Sequence, residues 1–231
     1  MDDIFTGIAQ AVQLIASGDA ALYEIIWLTL QVTGTALLFA TVLGVPFGAA
    51  LGLYRVRTRG LITALLYTGM GLPPVVVGLF VYLVLSRSGP FGSLGWLFTP
   101  SAMIAAQIII AFPLTAGLTM TAVQSVDPAL RVQARSLGAT RRQEIWTVLT
   151  EARIGVIAAI VAAFGGIISE VGAVMLVGGN IEGKTRVLTT AIVLNTRTGD
   201  FELAIALGLI LLTLAFFING AMLLLQRNAL D

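Results

Sequence analysis

The residues best suited to chemistry in this chain fall into four groups. Residues 178–185 read GGNIEGKT and satisfy G-x-x-x-x-G-K-[ST] to the letter, with the apolar run VMLV just before them. That spacing lets a Gly-rich loop cradle phosphate while a Lys reaches it. Glu170 is a lone carboxylate inside an otherwise apolar stretch, 154–177. Lys184, Arg186 and Arg197 follow it in a polar connection. The fourth group is basic: Arg131, Arg135, Arg141, Arg142 and Arg153 crowd the stretch 124–153, QSVDPALRVQARSLGATRRQEIWTVLTEAR. The chain has no Cys and no His. Disulfides, thiol metal sites and the usual near-neutral acid–base group are therefore excluded. No catalytic residues, no metal and no cofactor are expected.

The elements that position these groups follow from composition. Of 231 residues, 58% are hydrophobic and 11% charged, against about 25% charged in a soluble domain. One soluble core cannot bury that excess, so lipid is the expected solvent. The first Lys or Arg is Arg55 and the chain starts MDDIF, which lacks the basic opening of a secretory signal. Residues 1–19 hold apolar positions Ile4, Ile8, Ala11, Val12 and Ile15 at helical spacing. They are read as a short helix lying at the membrane surface. Five apolar stretches follow, about 25–54, 61–86, 101–123, 154–177 and 203–225. A sixth span arises if the N-terminal helix crosses. Pro73 and Pro74 interrupt the second stretch, and Pro113 lies inside the third. Broken helix in lipid is tolerated where protein or a water-filled cavity satisfies the freed backbone, so these prolines are candidates to line a path or gate.

Charge sets the orientation. Arg55, Arg57, Arg59, Arg131, Arg135, Arg141, Arg142, Arg153 and Arg227 share one side, nine of the thirteen Lys and Arg. The positive-inside bias makes that side cytoplasmic. The N-terminus is then outside, the C-terminus and the 124–153 loop are inside, and the 178–202 connection is outside. A phosphate-binding loop belongs to a soluble α/β domain on the cytoplasmic side, so GGNIEGKT is read as a chance match. The chain then has no ATPase of its own. No internal repeat is visible, unlike a self-contained carrier. A carrier would also need more intramembrane acids than Glu170.

The 124–153 loop reads as two helices. Asp127 and Pro128 are start signals. Leu130, Ala134 and Leu137 share a face, Gly138 breaks the run, and a second helix carries Ile145, Trp146, Val148 and Leu149. Three readings suit such a hairpin: a lipid-anchored surface helix, a simple extension of the spans, or a docking surface for a partner.

ARSLGAT, residues 134–140, followed about ten residues later by Val148-Leu149, resembles the EAA loop of ABC-importer permeases. Ala134, Leu137, Gly138 and Ala139 fit that pattern. The usual Glu-Ala-Ala opening is Val132-Gln133-Ala134 here, and Glu151 stands where a Pro often closes the motif. LPPVVVG (72–78) and AFPLTAG (111–117) are similar to core helices of oxyanion permeases for molybdate, sulfate and tungstate. SEVGAVMLVGGNI with TRVLTTAI, within 168–194, looks nearest to the tungstate group. The resemblance covers about residues 20–226.

It implies an all-α, MetI-like permease core that pairs with a second copy of itself in the cytoplasmic (inner) membrane. It also implies ABC ATPase subunits on the inside and a separate extracytoplasmic oxyanion-binding protein, and no dealings with nucleic acid. In such a permease Ala134, Arg135, Ser136, Leu137, Gly138, Ala139 and Thr140 would couple to the ATPase. A tetrahedral dianion asks for neutral donors, and Ser169, Asn180, Thr185, Thr189 and Thr190 are the candidates near the fourth span. Lys184, Arg186 and Arg197 would draw in an anion or grip the binding protein. Glu170 would repel a dianion, so it is expected to cap broken backbone, bond across the dimer or pair with an Arg at a gate. Proton coupling is its remaining alternative.

Overall fold

The computed structural model describes residues 2–54 and 57–228; at 2–5, 223 and 225–228 it describes the backbone alone. Arg55, the side chains of Ile4 and Arg227, and residues 1 and 229–231 lie outside that description.

Among the described residues the chain is helical, without strands. The helices are α1 (Asp2–Ser17), α2 (Ala20–Leu53), α3 (Arg59–Met70), α4 (Pro74–Leu85), α5 (Pro100–Gln124), α6 (Pro128–Ser136), α7 (Arg141–Glu151), α8 (Arg153–Ile168), α9 (Gly172–Gly178), α10 (Leu188–Thr198) and α11 (Phe201–Asn228). A 3-10 turn at Gly92–Leu94 precedes α5. Helices α2, α5 and α11 are each long and apolar enough to cross a membrane. Counting the bent pairs α3–α4 and α7–α8 as one span each raises the number to five.

The centre is the parallel pair α2 and α5. Ala36 and Ala40 pack on Ala111. Further along, Gly44, Gly48 and Gly52 face Thr115, Ala116 and Val123 in turn. A Cβ on Gly48 would land on the Ala116 carbonyl, so only Gly permits this approach. Lipid offers no hydrophobic drive between helices, and small residues gain attraction by bringing backbones together. The Thr115 hydroxyl adds a bond to the Ala40 carbonyl, 3.0 Å.

Two of the apolar stretches are broken, one of them at the prolines expected to interrupt it. The 61–86 stretch bends by 100° between α3 and α4. Pro73 and Pro74 remove two donors, and Pro74 fits the first turn of α4, where no donor is needed. The 154–177 stretch stops at Ile168 and restarts as α9. Inside the 178–202 connection the apolar run 187–194 leads into α10, where Leu188, Thr189, Thr190 and Ala191 are buried. Its apolar side packs with Leu22 of α2 and with Ala206, Leu207 and Ile210 of α11. A short run flanked by polar residues looks like a loop, yet here neighbouring helices bury it. Helix α1 packs along α11, with Gly7 against Ile205.

Candidate functional site

Two regions concentrate polar chemistry. The first is the hairpin of α6 and α7 at the α2–α5 end that holds Leu53 and Val123. Asp127 Oδ1 accepts from Ala129 N at 2.8 Å and opens α6. Gly138, at φ +80°, turns the chain in a conformation that favours glycine. Thr140 and Gln143 form a reciprocal cap that starts α7. Val148 then buries itself with Ala49, Val123 and Ala152, seating α7 on the ends of α2 and α5.

Glu144, absent from the sequence-level candidates, ties the hairpin together. It is only 4% exposed. Arg135 donates to both of its oxygens, Nε to Oε2 at 2.8 Å and an η nitrogen to Oε1 at 2.9 Å. Arg131 Nε lies 3.0 Å from Oε1. Its guanidinium also approaches the Leu53 carbonyl, at 3.5 Å, where the end of α2 carries partial negative charge. Arg141 stacks over Tyr54, 5.4 Å from the ring centre. The hydrogen bonds from Arg135, with the charges of Arg135 and Arg131, hold the Glu144 carboxyl below the usual range; burial opposes them. The same pairing raises Arg135. These groups line a cleft of about 490 Å³ with Ala139 and Ile145.

Two large apolar side chains of the hairpin stand exposed among polar neighbours. Leu137 is 88% exposed and Trp146 72%; Val132, Ser136 and Gly138 are exposed with them, while Ala134 and Ala139 are half-buried. Leu137 does not join Leu130 and Ala134 on a packed face, because it lies past the last turn of α6, at the C-cap. Thus the hairpin buries Glu144 under two arginines on the side joined to α2 and leaves Leu137 and Trp146 exposed.

The second region is the break between α8 and α9. Gln107 of α5, 3% exposed, donates to the Ile167 carbonyl at 3.1 Å. Glu170 Oε1 accepts from Ala173 N at 2.8 Å, so the carboxylate caps the new helix. Thr189 donates from α10 to the Glu170 carbonyl at 3.1 Å. Three side chains from three segments thereby replace the helix bonds that the break removes, as a nonpolar surrounding demands. Gly78 of α4 meets Ala173, and Gly172 meets Val75, so the α3–α4 bend packs against this break. Pro113 packs on Gly69.

The neutral donors proposed for a dianion are not gathered on one surface. Thr185 donates to the Gly178 carbonyl and accepts from Ile181 N. Thr190 closes the start of α10 through Val187, and Ser169, though exposed, donates back to Gly165. Asn180 sits at φ +51° with a buried Oδ1 that has no partner among the described residues. GGNIEGKT is the turn between α9 and α10. Helix, not strand, precedes it, and the turn lies at a helix C-terminus, whose dipole repels anions. Lys184 and Arg197 are exposed, whereas Arg186 pairs with Glu182 at 3.1 Å. Gln107 was legible only as a polar residue inside an apolar helix. Glu144 carried one sequence signal, a carboxylate among arginines.

Residues 44–230 match the family described as binding-protein-dependent transport system inner membrane component. The chain is 41% identical over 228 residues, 99% of its length and 100% of the relative's, to the tungstate uptake system permease protein TupB of Peptoclostridium acidaminophilum. It is 34% identical over 219 residues, 95% of its length and 92% of the relative's, to the TupB of Campylobacter jejuni. Among solved structures, an inward-facing form of the MetNI methionine ABC transporter superposes with a TM-score of 0.75 at 20% identity, covering 90% of this chain and 96% of that one.

Proposed function

Since the chain belongs to the binding-protein-dependent transport system inner membrane components, a family of multi-pass membrane proteins, we propose that it is the permease subunit of an ATP-driven tungstate importer. It works as one of two copies around a shared path. ATP is hydrolysed by separate subunits that dock on the α6–α7 hairpin, and the N-terminus lies outside. The observation that carries the reading is the hairpin itself. It exposes Leu137 and Trp146, taken as its front, and its back is tied to α2 through Arg131, Glu144 and Val148. A push on the front moves the end of α2, and with α2 the tightly packed α5. Alternating access then follows as rigid rocking of the bundle.

The tungstate assignment is supported by the full-length likeness to a permease of that name. Selectivity among tetrahedral dianions belongs to the extracytoplasmic binding protein, because the hydroxyls near the α8–α9 break are engaged in internal bonds. Glu170, Pro73 and Pro74 shape the path by holding its broken helices rather than by touching the ion, and Pro113 does so by packing α5 on Gly69 of α3. Lys184 and Arg197 contribute positive potential on the outer face.

The test is ATP-dependent uptake of tungstate into proteoliposomes holding this permease, its ATPase and its binding protein. Molybdate and sulfate compete in parallel. Uptake that needs all three proteins and is blocked least by sulfate is expected. Uptake without the ATPase, or a preference for sulfate, overturns the assignment.

A further inference from the structure

A cleft of about 540 Å³ opens between the end of α2, the start of α3, the end of α5 and the start of α6. Its polar lining includes Arg59, Gln124 and Arg131, and its apolar lining includes Leu53, Val123 and Val126. Among the described residues that line it there is no carboxylate. Arg59 is half-buried and has no ion-pair partner among the described residues. Arg131 turns its Nε to Glu144, yet 31% of its side chain stays open to solvent. Arg135 shares the same carboxylate, so two arginines face one Glu and one positive charge is left over. The carbonyl ends of α2 and α5 offset part of that excess. Gln124 is exposed and offers both a donor and an acceptor. An occupant must therefore bring an anionic group that accepts from two guanidiniums, with an apolar chain beside it.

The place in the fold says where such an occupant comes from. Helices α2 and α5 are each long and apolar enough to cross a membrane, and both end at this cleft. Helix α2 has 34 residues and is about 51 Å long, against about 30 Å of hydrocarbon. Its ends therefore stand in or past the headgroup layers. We propose that the cleft holds one anionic phospholipid, of the phosphatidylglycerol type. The phosphate lies between Arg59 and Arg131, the headgroup hydroxyls face Gln124, and the start of an acyl chain lies along Leu53 and Val126. A free phosphate ion leaves the apolar part of the cleft uncovered. A zwitterionic headgroup brings an ammonium toward two arginines. The volume lies within the range of ligand pockets, roughly 300–1,000 Å³, and suits a headgroup with its first carbons. Bound there, the lipid links the start of α3 to the hairpin through Arg131. The inference does not depend on which anion is carried or on what docks at Leu137 and Trp146.

The experiment is a native mass-spectrometry titration of the purified, delipidated full-length chain with phosphatidylglycerol, phosphatidylethanolamine and phosphatidylcholine, so its outcome is separate from that of the uptake test. Phosphatidylglycerol is expected to bind about tenfold more tightly than either of the others, as two arginines facing an anionic headgroup imply. Arg59→Gln removes one cation, and Gln124→Glu places a carboxylate in the cleft with almost no change of size. Each should bring phosphatidylglycerol down to the level of phosphatidylcholine. Arg87→Gln, in the loop after α4, should keep the preference, and inorganic phosphate at millimolar level should not displace the lipid. Should Arg59→Gln fail to assemble, Gln124→Glu decides alone. Equal retention of the three lipids, an unchanged preference in either cleft variant, its loss in Arg87→Gln, or displacement by free phosphate would each overturn the proposal.

Discussion

The α8–α9 break makes Glu170 the sharpest place to test whether structure or charge is being used. Its Oε1 holds Ala173 N at 2.8 Å, and Ala173 is fully buried. Glu170→Ala deletes that acceptor and leaves a buried N–H unpaired, which costs about 1–3 kcal/mol. An N-cap replaced by Ala costs about 1 kcal/mol, and both figures describe the same bond, so about 2 kcal/mol is the expected loss. Glu170→Gln keeps an oxygen acceptor of nearly the same reach and removes the carboxylate. The difference between the two variants therefore isolates the cap. For a chain of this length, 2 kcal/mol corresponds to roughly 4–8 °C in melting temperature. The assay is thermal melting of the purified permease–ATPase complex, paired with tungstate uptake. The Ala variant should melt that far below the Gln variant and lose uptake, while the Gln variant keeps uptake. Coincident melting of the two would refute the capping argument. A Gln variant that stays stable but stops transporting would refute it differently, by showing that the charge acts in transport.

Four further outcomes follow from the structure. Glu144→Gln should uncouple ATP hydrolysis from uptake without dispersing the bundle, read as hydrolysis persisting while uptake falls. The Glu144 carboxyl is held below its usual range, so its brace is complete above about pH 4.3 and fades as pH falls through the lowered value; Trp146 fluorescence should be flat from pH 8 to 5 and change only below that. Gly48→Ala drives a methyl into the Ala116 carbonyl and should destabilise by about 1–3 kcal/mol or more, whereas Gly34→Ala, with open space around it, should be close to neutral in the same melt. Trp146→Ala should weaken ATPase docking by about 2 kcal/mol, as truncating an interface anchor does, seen as loss of the ATPase on size exclusion with the permease melt unchanged.

What the sequence disclosed and what it hid divide along physical lines. Class, apolar stretches and the hairpin were legible because each rests on local pattern: a run of apolar residues, a cap, a glycine. Asp127, Gly138 and the Val148 anchor all work over a few residues. The hidden features depend on distant partners. Val187–Leu194 sounds like a loop flanked by polar residues until α2 and α11 cover its start, and only then does Thr29 of α2 appear as the acceptor for Leu188 N at 3.0 Å. Gly44, Gly48 and Gly52 stand four residues apart, a spacing that is open to reading, yet its meaning comes from α5 lying parallel and in contact. The threonines show the reverse error. Thr185, Thr189 and Thr190 look like donors waiting for an anion when seen as a list of hydroxyls. In an apolar medium a hydroxyl is claimed first by the nearest unsatisfied backbone: the α8–α9 break takes Thr189, and the turn into α10 takes Thr185 and Thr190. Polar side chains beside a helix break in a membrane should therefore be assigned to the break before they are assigned to the cargo.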